Sequence, residues 1–243
     1  MNVATRQAVI LSPRPEIPNS VRNNLLAYYS GKKLNGWNNA TDKKWYDSSG
    51  NGRHADMVNL AYTGNSNLDA YGFNVDGVDD FATIADSAAT RLTGGGTLFV
   101  WIKPVDAGEV NVGRIFDKST NATGGGGYML RCATTNRLVV YVNNGTPLVS
   151  TDNAFTARAW QLVAVTIDSS GRALYVNAVN KTNTGGSETA LPPNTVGSIA
   201  IGNRAEFTDA TFNGQIDRAG ICNRALSQAE IYQIYMATRR FYT

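Results

Sequence analysis

The sequence predicts an all-β chain built as a two-sheet antiparallel sandwich, with one short helix near the C-terminus and an extended N-terminal arm. Three observations carry this expectation. Roughly a dozen short segments rich in β-branched and aromatic residues follow one another, separated by clusters of Gly, Asn, Asp and Ser. Glycines number 24 against 7 prolines, and only 17% of residues are charged, a balance that suits strands and turns better than helices or disorder. One late stretch carries a helix start: Ser227, with Glu230 three residues on, precedes Ile231, Ile234 and Tyr235 on one helical face. An all-β chain of 243 residues is commonly a single domain.

The elements follow in order. Residues 1–20 read as the arm, because Pro13, Pro15 and Pro18 block ladder pairing and favour a polyproline-like path. Its apolar residues Val9, Ile10 and Leu11, with Pro13 and Pro15, are the expected contact to a neighbouring subunit. The body is expected over 21–243. Leu25–Tyr29 is its first strand, followed by a polar loop holding Trp37. Asp47-Ser48-Ser49-Gly50-Asn51-Gly52 is dense turn chemistry. The stretch from Tyr71 to Ile84 reads as two strands around a tight Asp76-Gly77 turn. Thr97–Lys103 is apolar on both faces and belongs in the middle of a sheet. Further strands are expected at Arg114–Lys118, Tyr128–Cys132, Arg137–Val142, Trp160–Asp168, Arg172–Ala178 and Ser198–Arg204. The last lies within Thr211–Cys222, with Gly214 read as a turn or bulge before it. It runs into the helix, where Arg239 and Arg240 complement the negative end of the dipole.

In this order the segments resemble a laminin-G-like, concanavalin A-like jelly-roll domain. The residues that carry the resemblance include Trp45-Tyr46-Asp47, Asp76-Gly77-Val78-Asp79-Asp80-Phe81, Trp101-Ile102-Lys103-Pro104, Trp160-Gln161-Leu162-Val163, Leu174-Tyr175-Val176-Asn177 and Ile201-Gly202-Asn203-Arg204. The resemblance leaves the arm outside. It implies a jelly-roll sandwich, and in such domains often one structural Ca²⁺ at the sandwich edge. Asp47, Asp79 and Asp217 are the matching hard oxygen ligands; the alternative is that they cap turns. The Trp-Tyr-Asp run ahead of Ser-Gly-Asn-Gly is also similar to domains of tailed-bacteriophage structural proteins.

Several function classes fit poorly. A net charge of +3 with no basic stripe argues against nucleic acid as a partner. No apolar run approaches the ~20 residues that span a bilayer, and no secretory leader is recognisable, because Ser12-Pro13-Arg14-Pro15 breaks the short apolar segment before it. Cys132 and Cys222 lie in strand-like sequence and read as buried free thiols. Glu16, Glu109, Glu188, Glu206 and Glu230 are scattered, and Asp79 and Asp80 are adjacent, so no paired carboxylates of a glycosidase are visible. The single histidine, His54, lines a turn. The chain is therefore read as non-enzymatic. The expected role is a virion structural protein, a capsid or tail surface decoration module anchored through its arm. On that reading it is made in the host cytoplasm without a signal peptide, and its partners are other virion proteins and copies of itself. The alternative is a carbohydrate-binding or host-adhesion module, with Trp37, Asn38 and Tyr62 as the glycan contacts.

Overall fold

The computed structural model describes residues 16–31, 43–69, 72–121, 125–204 and 209–242. Among them the strands, numbered along the chain, form two sheets. The first has eight strands. Its order is β14 (Val179–Asn180), β13 (Gly171–Val176), β12 (Gln161–Asp168), β7 (Gly96–Pro104), β17 (Asn213–Cys222), β5 (Gly72–Asp76) and β4 (Asn67–Asp69). Its eighth strand, β1 (Leu25–Tyr29), pairs with the second half of β17. The second sheet has nine. They run β15 (Thr182–Thr184), β11 (Leu148–Ser150), β10 (Arg137–Val142), β9 (Tyr128–Ala133), β8 (Arg114–Lys118), β16 (Ile199–Ile201), β6 (Phe81–Ile84), β3 (Ala55–Val58) and β2 (Lys44–Trp45). The expected all-β sandwich is the observed one.

Alternation along the strands decides what goes where. In β7, Leu98, Val100 and Ile102 point into the core between the sheets, while Phe99 and Trp101 point to the outer face. Both sets are buried, so β7 is a central strand, held between β12 and β17. The outer set is covered by α2 (Gln228–Thr238) through Ile231 and Ile234, and by the short α1 (Asn19–Arg22) through Val21. Ile17 joins the same cluster, so residues 16–20 of the expected arm lie on the body. Val9, Ile10, Leu11, Pro13 and Pro15 lie outside the described residues. Cys132 and Cys222 are buried free thiols.

Two local readings are corrected. β5 and β6 do not form a hairpin: β5 pairs with β17 and β4, β6 with β3 and β16, and the Asp76-Gly77 turn carries the chain between sheets. Gly214 is no turn residue but lies inside β17, opposite Pro104 and Val75. A Cβ there would sit 2.3 Å from the Lys103 carbonyl oxygen, and its φ of 142° favours glycine.

The helix start forms as expected. Ser227 Oγ accepts from the Glu230 N–H, and Glu230 accepts from the Ser227 N–H at 2.9 Å. Arg224 adds a 2.5 Å contact to the same carboxylate. The hydrogen bond from Arg224, with those of Ser227, holds the Glu230 carboxyl well below its ordinary 4.5, at about 2. A depressed carboxyl stabilises the fold above its unfolded-state value, and that stabilisation is lost as pH falls from 4.5 towards 2. Glu230→Gln is expected to cost about 1 kcal/mol at neutral pH. Its urea midpoint should then fall less steeply than the parent's between pH 4.5 and 3. Parallel curves over that range would reject the assignment.

Candidate functional site

The outer face of the eight-stranded sheet is divided. One half is apolar and lies beneath α2. The other half carries polar side chains at the same outward parity. Lys103 of β7 is opposite Gln215 of β17, Gln215 is opposite Asn74 of β5, and Asn74 is opposite Asn67 of β4. Four strands thus place four polar residues in one cross-strand row, each within reach of the next.

The amides hold one another. Gln215 Nε2 donates to Asn74 Oδ1 at 2.6 Å, Asn74 Nδ2 donates to Asn67 Oδ1 at 2.6 Å, and Asn67 Nδ2 donates to the Gly64 carbonyl at 2.5 Å. This relay fixes which atoms each amide presents, because an amide carries donors at one tip and an acceptor at the other. Lys103, Gln215 and Asn74, with Asn65, Asn213 and Arg158, line a cleft of about 500 Å³. Gly214 belongs to the lining, packed so closely on the Lys103 carbonyl that a Cβ would clash with it. Trp160 precedes Gln161, whose ladder partner is Ile102, and so lies beside Lys103. Its ring packs against Tyr242 at 4.6 Å, and Tyr242 stacks on Trp101 at 4.2 Å. The polar row is therefore bordered by an aromatic wall. Such a surface suits a ligand with many hydroxyls and one apolar face.

The carboxylates read from the sequence do not converge. Asp47 accepts from the N–H groups of Tyr28, Ser49 and Arg53 and from Ser49 Oγ, all within 2.8–2.9 Å, which is a turn cap. His54 accepts from the Asp47 N–H through Nδ1, as a turn residue. Asp217 is buried and accepts from Gly31 N–H, Arg218 and the Tyr242 hydroxyl. Burial pushes its carboxyl upward, against the pull of Arg218 and these donors. Asp79 is the one predicted ligand in a close acidic group: one oxygen each of Asp76, Asp79 and Asp80 lie within 4.8 Å of one another. Asp80 there accepts from Ser66 Oγ at 2.8 Å and Asp76 N–H at 3.1 Å, and burial pushes its carboxyl up to about 6.

Of the expected glycan contacts, Trp37 and Asn38 lie outside the described residues. Tyr62 sits in the loop before β4 with φ 58°, and its hydroxyl is enclosed with no hydrogen-bond partner among the described residues. It does not line the cleft. Sequence reasoning missed Lys103, Gln215, Asn74 and Asn67. Lys103, Gln215 and Asn74 each had a signal, a polar residue at an outward position of an apolar strand, whereas Asn67 lies on the short polar β4 and had none; the adjacency of all four depends on pairing across the chain.

The fold and this polar face define a lectin-like β-sandwich. The chain belongs to the concanavalin A-like lectin/glucanases superfamily: the laminin G family model of that description matches residues 76–232. No curated protein matches the sequence. Among solved structures it is similar to a sialidase of Trypanosoma rangeli in complex with sialic acid, at 15% identity and a TM-score of 0.64, over 93% of this chain and 34% of that one. It is also similar to the botulinum neurotoxin serotype D ligand binding domain in complex with N-acetylneuraminic acid, at 14% identity and a TM-score of 0.59, over 89% and 52% of the two chains. The chain thus spans about a third of the sialidase and about half of the neurotoxin domain. At such identities the likeness is one of fold.

Proposed function

We propose that this chain is a carbohydrate-binding module and that the Lys103–Gln215–Asn74–Asn67 row is its glycan platform. The observation that carries the reading is the half of the outer sheet face that no described helix covers, where amides are held in fixed orientation along a sugar-sized cleft. That both similar structures were solved with sialic acid or N-acetylneuraminic acid supports it. The reading is binding and not hydrolysis: among the described residues no Asp or Glu lines the cleft, and glycoside hydrolysis asks for a carboxylate pair. Gln215→Ala is expected to weaken glycan binding about tenfold, the effect of losing one or two hydrogen bonds, with thermal stability unchanged. A glycan array followed by calorimetric titration reads this. Undiminished binding by a Gln215→Ala/Asn74→Ala double variant would reject the platform, and Trp37→Ala tests the loop as the rival location.

A second reading adds a setting: a virion surface module whose glycan is on the host and whose partners are virion proteins and sister copies. It is favoured by how residue 16 is tied. Glu16 meets Arg218 at 3.5 Å, and Ile17 and Val21 are buried, so the chain joins the body at a fixed point from which residues 1–15 would reach a partner. Deleting residues 1–15 should then leave a folded monomer that no longer joins particles. A truncated protein that assembles at full occupancy would count against it.

A further inference from the structure

Within the carbohydrate-binding reading, on which this inference rests, we propose that the cleft selects anionic glycans, with Lys103 and Arg158 reading the carboxylate or sulfate. Among the described residues the lining contains these two cations, three asparagines and a glutamine, and no carboxylate. Lys103 is set apart from other cations borne on strands. Lys44, Arg114, Lys118, Arg137 and Arg218 each lie within 4 Å of a carboxylate oxygen, at distances up to 3.5 Å, and Arg131 and Arg172 donate to backbone carbonyls. The side chains of Lys103 and Arg158 have no ion pair or hydrogen bond among the described residues. The carboxylate closest in the hydrogen-bond network, Asp106, is already engaged by Asn213 Nδ2 at 2.9 Å and by the Gly108 N–H at 2.7 Å. Two cations thus face the cleft with no ion pair among the described residues, while Asp106 is held to Asn213 and the Gly108 turn and not to either of them.

The backbone holds the two cations as neighbours. Lys103 sits in a central strand, where Gly214 packs directly against its carbonyl. The Arg158 N–H donates to the Pro104 carbonyl at 2.6 Å, which anchors the Arg158 loop to the residue after Lys103. Arg158 has φ 63°, a left-handed conformation uncommon for a non-glycine residue. A planar guanidinium and an ammonium side by side fit one carboxylate or sulfate group, with the amide row left for the sugar's hydroxyls.

The test titrates the full chain with matched pairs. These are tetragalacturonate and its methyl ester, sialyllactose and lactose, and a sulfated heparin-derived tetrasaccharide, with poly-glutamate as a polyanion that is no sugar. At least one acidic sugar should bind about tenfold more tightly than a neutral partner, the effect of one charge-assisted hydrogen bond. The carboxylated and sulfated arms separate the two sources of negative charge. Lys103→Gln and Arg158→Gln should each lower acidic binding towards the neutral level and so shrink the acidic-to-neutral ratio, while Gln215→Ala weakens both and keeps that ratio. Circular dichroism and Lys103→Arg, which keeps the charge, control for folding. Equal affinity for acidic and neutral sugars would overturn the anion selectivity and leave the carbohydrate reading standing. Poly-glutamate bound as tightly as the acidic sugars would overturn the carbohydrate reading. Binding of none of these probes would overturn both.

Discussion

Replacing Asp217 by alanine is expected to destabilise the fold by about 3–5 kcal/mol, the range for breaking a buried ion pair on one side. The strand geometry explains the size. β17 pairs with β5 as far as Ile216 and with β1 from Ala219 onward, and Asp217 and Arg218 fill the step between partners. The ladder to β7 is irregular at the same place, and Arg218 takes φ 44°. The unpaired backbone there is satisfied by the Asp217 side chain, which accepts from the Gly31 N–H at 2.6 Å and the Arg218 N–H at 2.7 Å. The same carboxylate faces the Arg218 guanidinium and accepts from the Tyr242 hydroxyl at 2.6 Å. Arg218, only 3% exposed, has Glu16 as its second and more distant counter-charge, and the Phe241 ring lies 3.9 Å from its guanidinium carbon. Truncating Asp217 strands a guanidinium that has little water to replace its partner. Arg218→Met alone should also be costly, because it leaves the carboxylate buried. The double variant should be less destabilised than the sum of the two, by at least about 1 kcal/mol. Urea unfolding of all four proteins reads the cycle. Strict additivity, or a loss below about 1 kcal/mol for Asp217→Ala, would remove the ion pair from the account.

That cluster also marks where the sequence stops being legible. Strand positions follow from local pattern: the two-faced apolar run of β7 and the Ser227–Glu230 cap are found where alternation and capping chemistry put them. Pairing is not local. The Asp76-Gly77 dipeptide is good hairpin chemistry, yet its flanking strands are claimed by different sheets: β5 pairs with β17, far along the chain, while β6 is taken up between β3 and β16. Asp217 is a metal ligand only as the family resemblance implies, with a turn cap as the alternative. Its partners, Gly31 and Tyr242, lie 186 and 25 residues away. The candidate site is the same case in stronger form. Gln215 and Asn74 are 141 residues apart and meet only because β5 and β17 are in register. An outward-facing Lys103 or Gln215 can be marked from strand parity, but a row of them exists only once the strand order is known.

The other large effect is expected at Trp101. Trp101→Ala should cost about 3–5 kcal/mol, as for other buried large side chains cut to alanine. Trp101 is 2% exposed and lies between the sheet and α2. Its indole N–H donates to Thr238 Oγ1 at 2.8 Å, and that hydroxyl donates to the Ile234 carbonyl at 2.6 Å, so the ring ties the sheet to the last turn of the helix. Tyr242 stacks on one side at 4.2 Å and Tyr235 at 5.8 Å. Alanine would leave a void and release Tyr242, which is also a donor to Asp217. The losses at Trp101 and Tyr242 should therefore couple: Trp101→Ala combined with Tyr242→Phe is expected to cost less than the two separate losses added together. Trp101→Phe keeps an aromatic ring and should cost about 1–2 kcal/mol, from lost area and the hydrogen bond. Far-UV circular dichroism is the suitable probe, since the substitution removes a fluorophore. The proposed glycan row lies on the other half of the sheet face, so on that proposal Trp101→Phe should bind sugars as the parent does. A folded Trp101→Phe protein that has lost binding would instead move the ligand onto the aromatic wall formed with Trp160 and Tyr242.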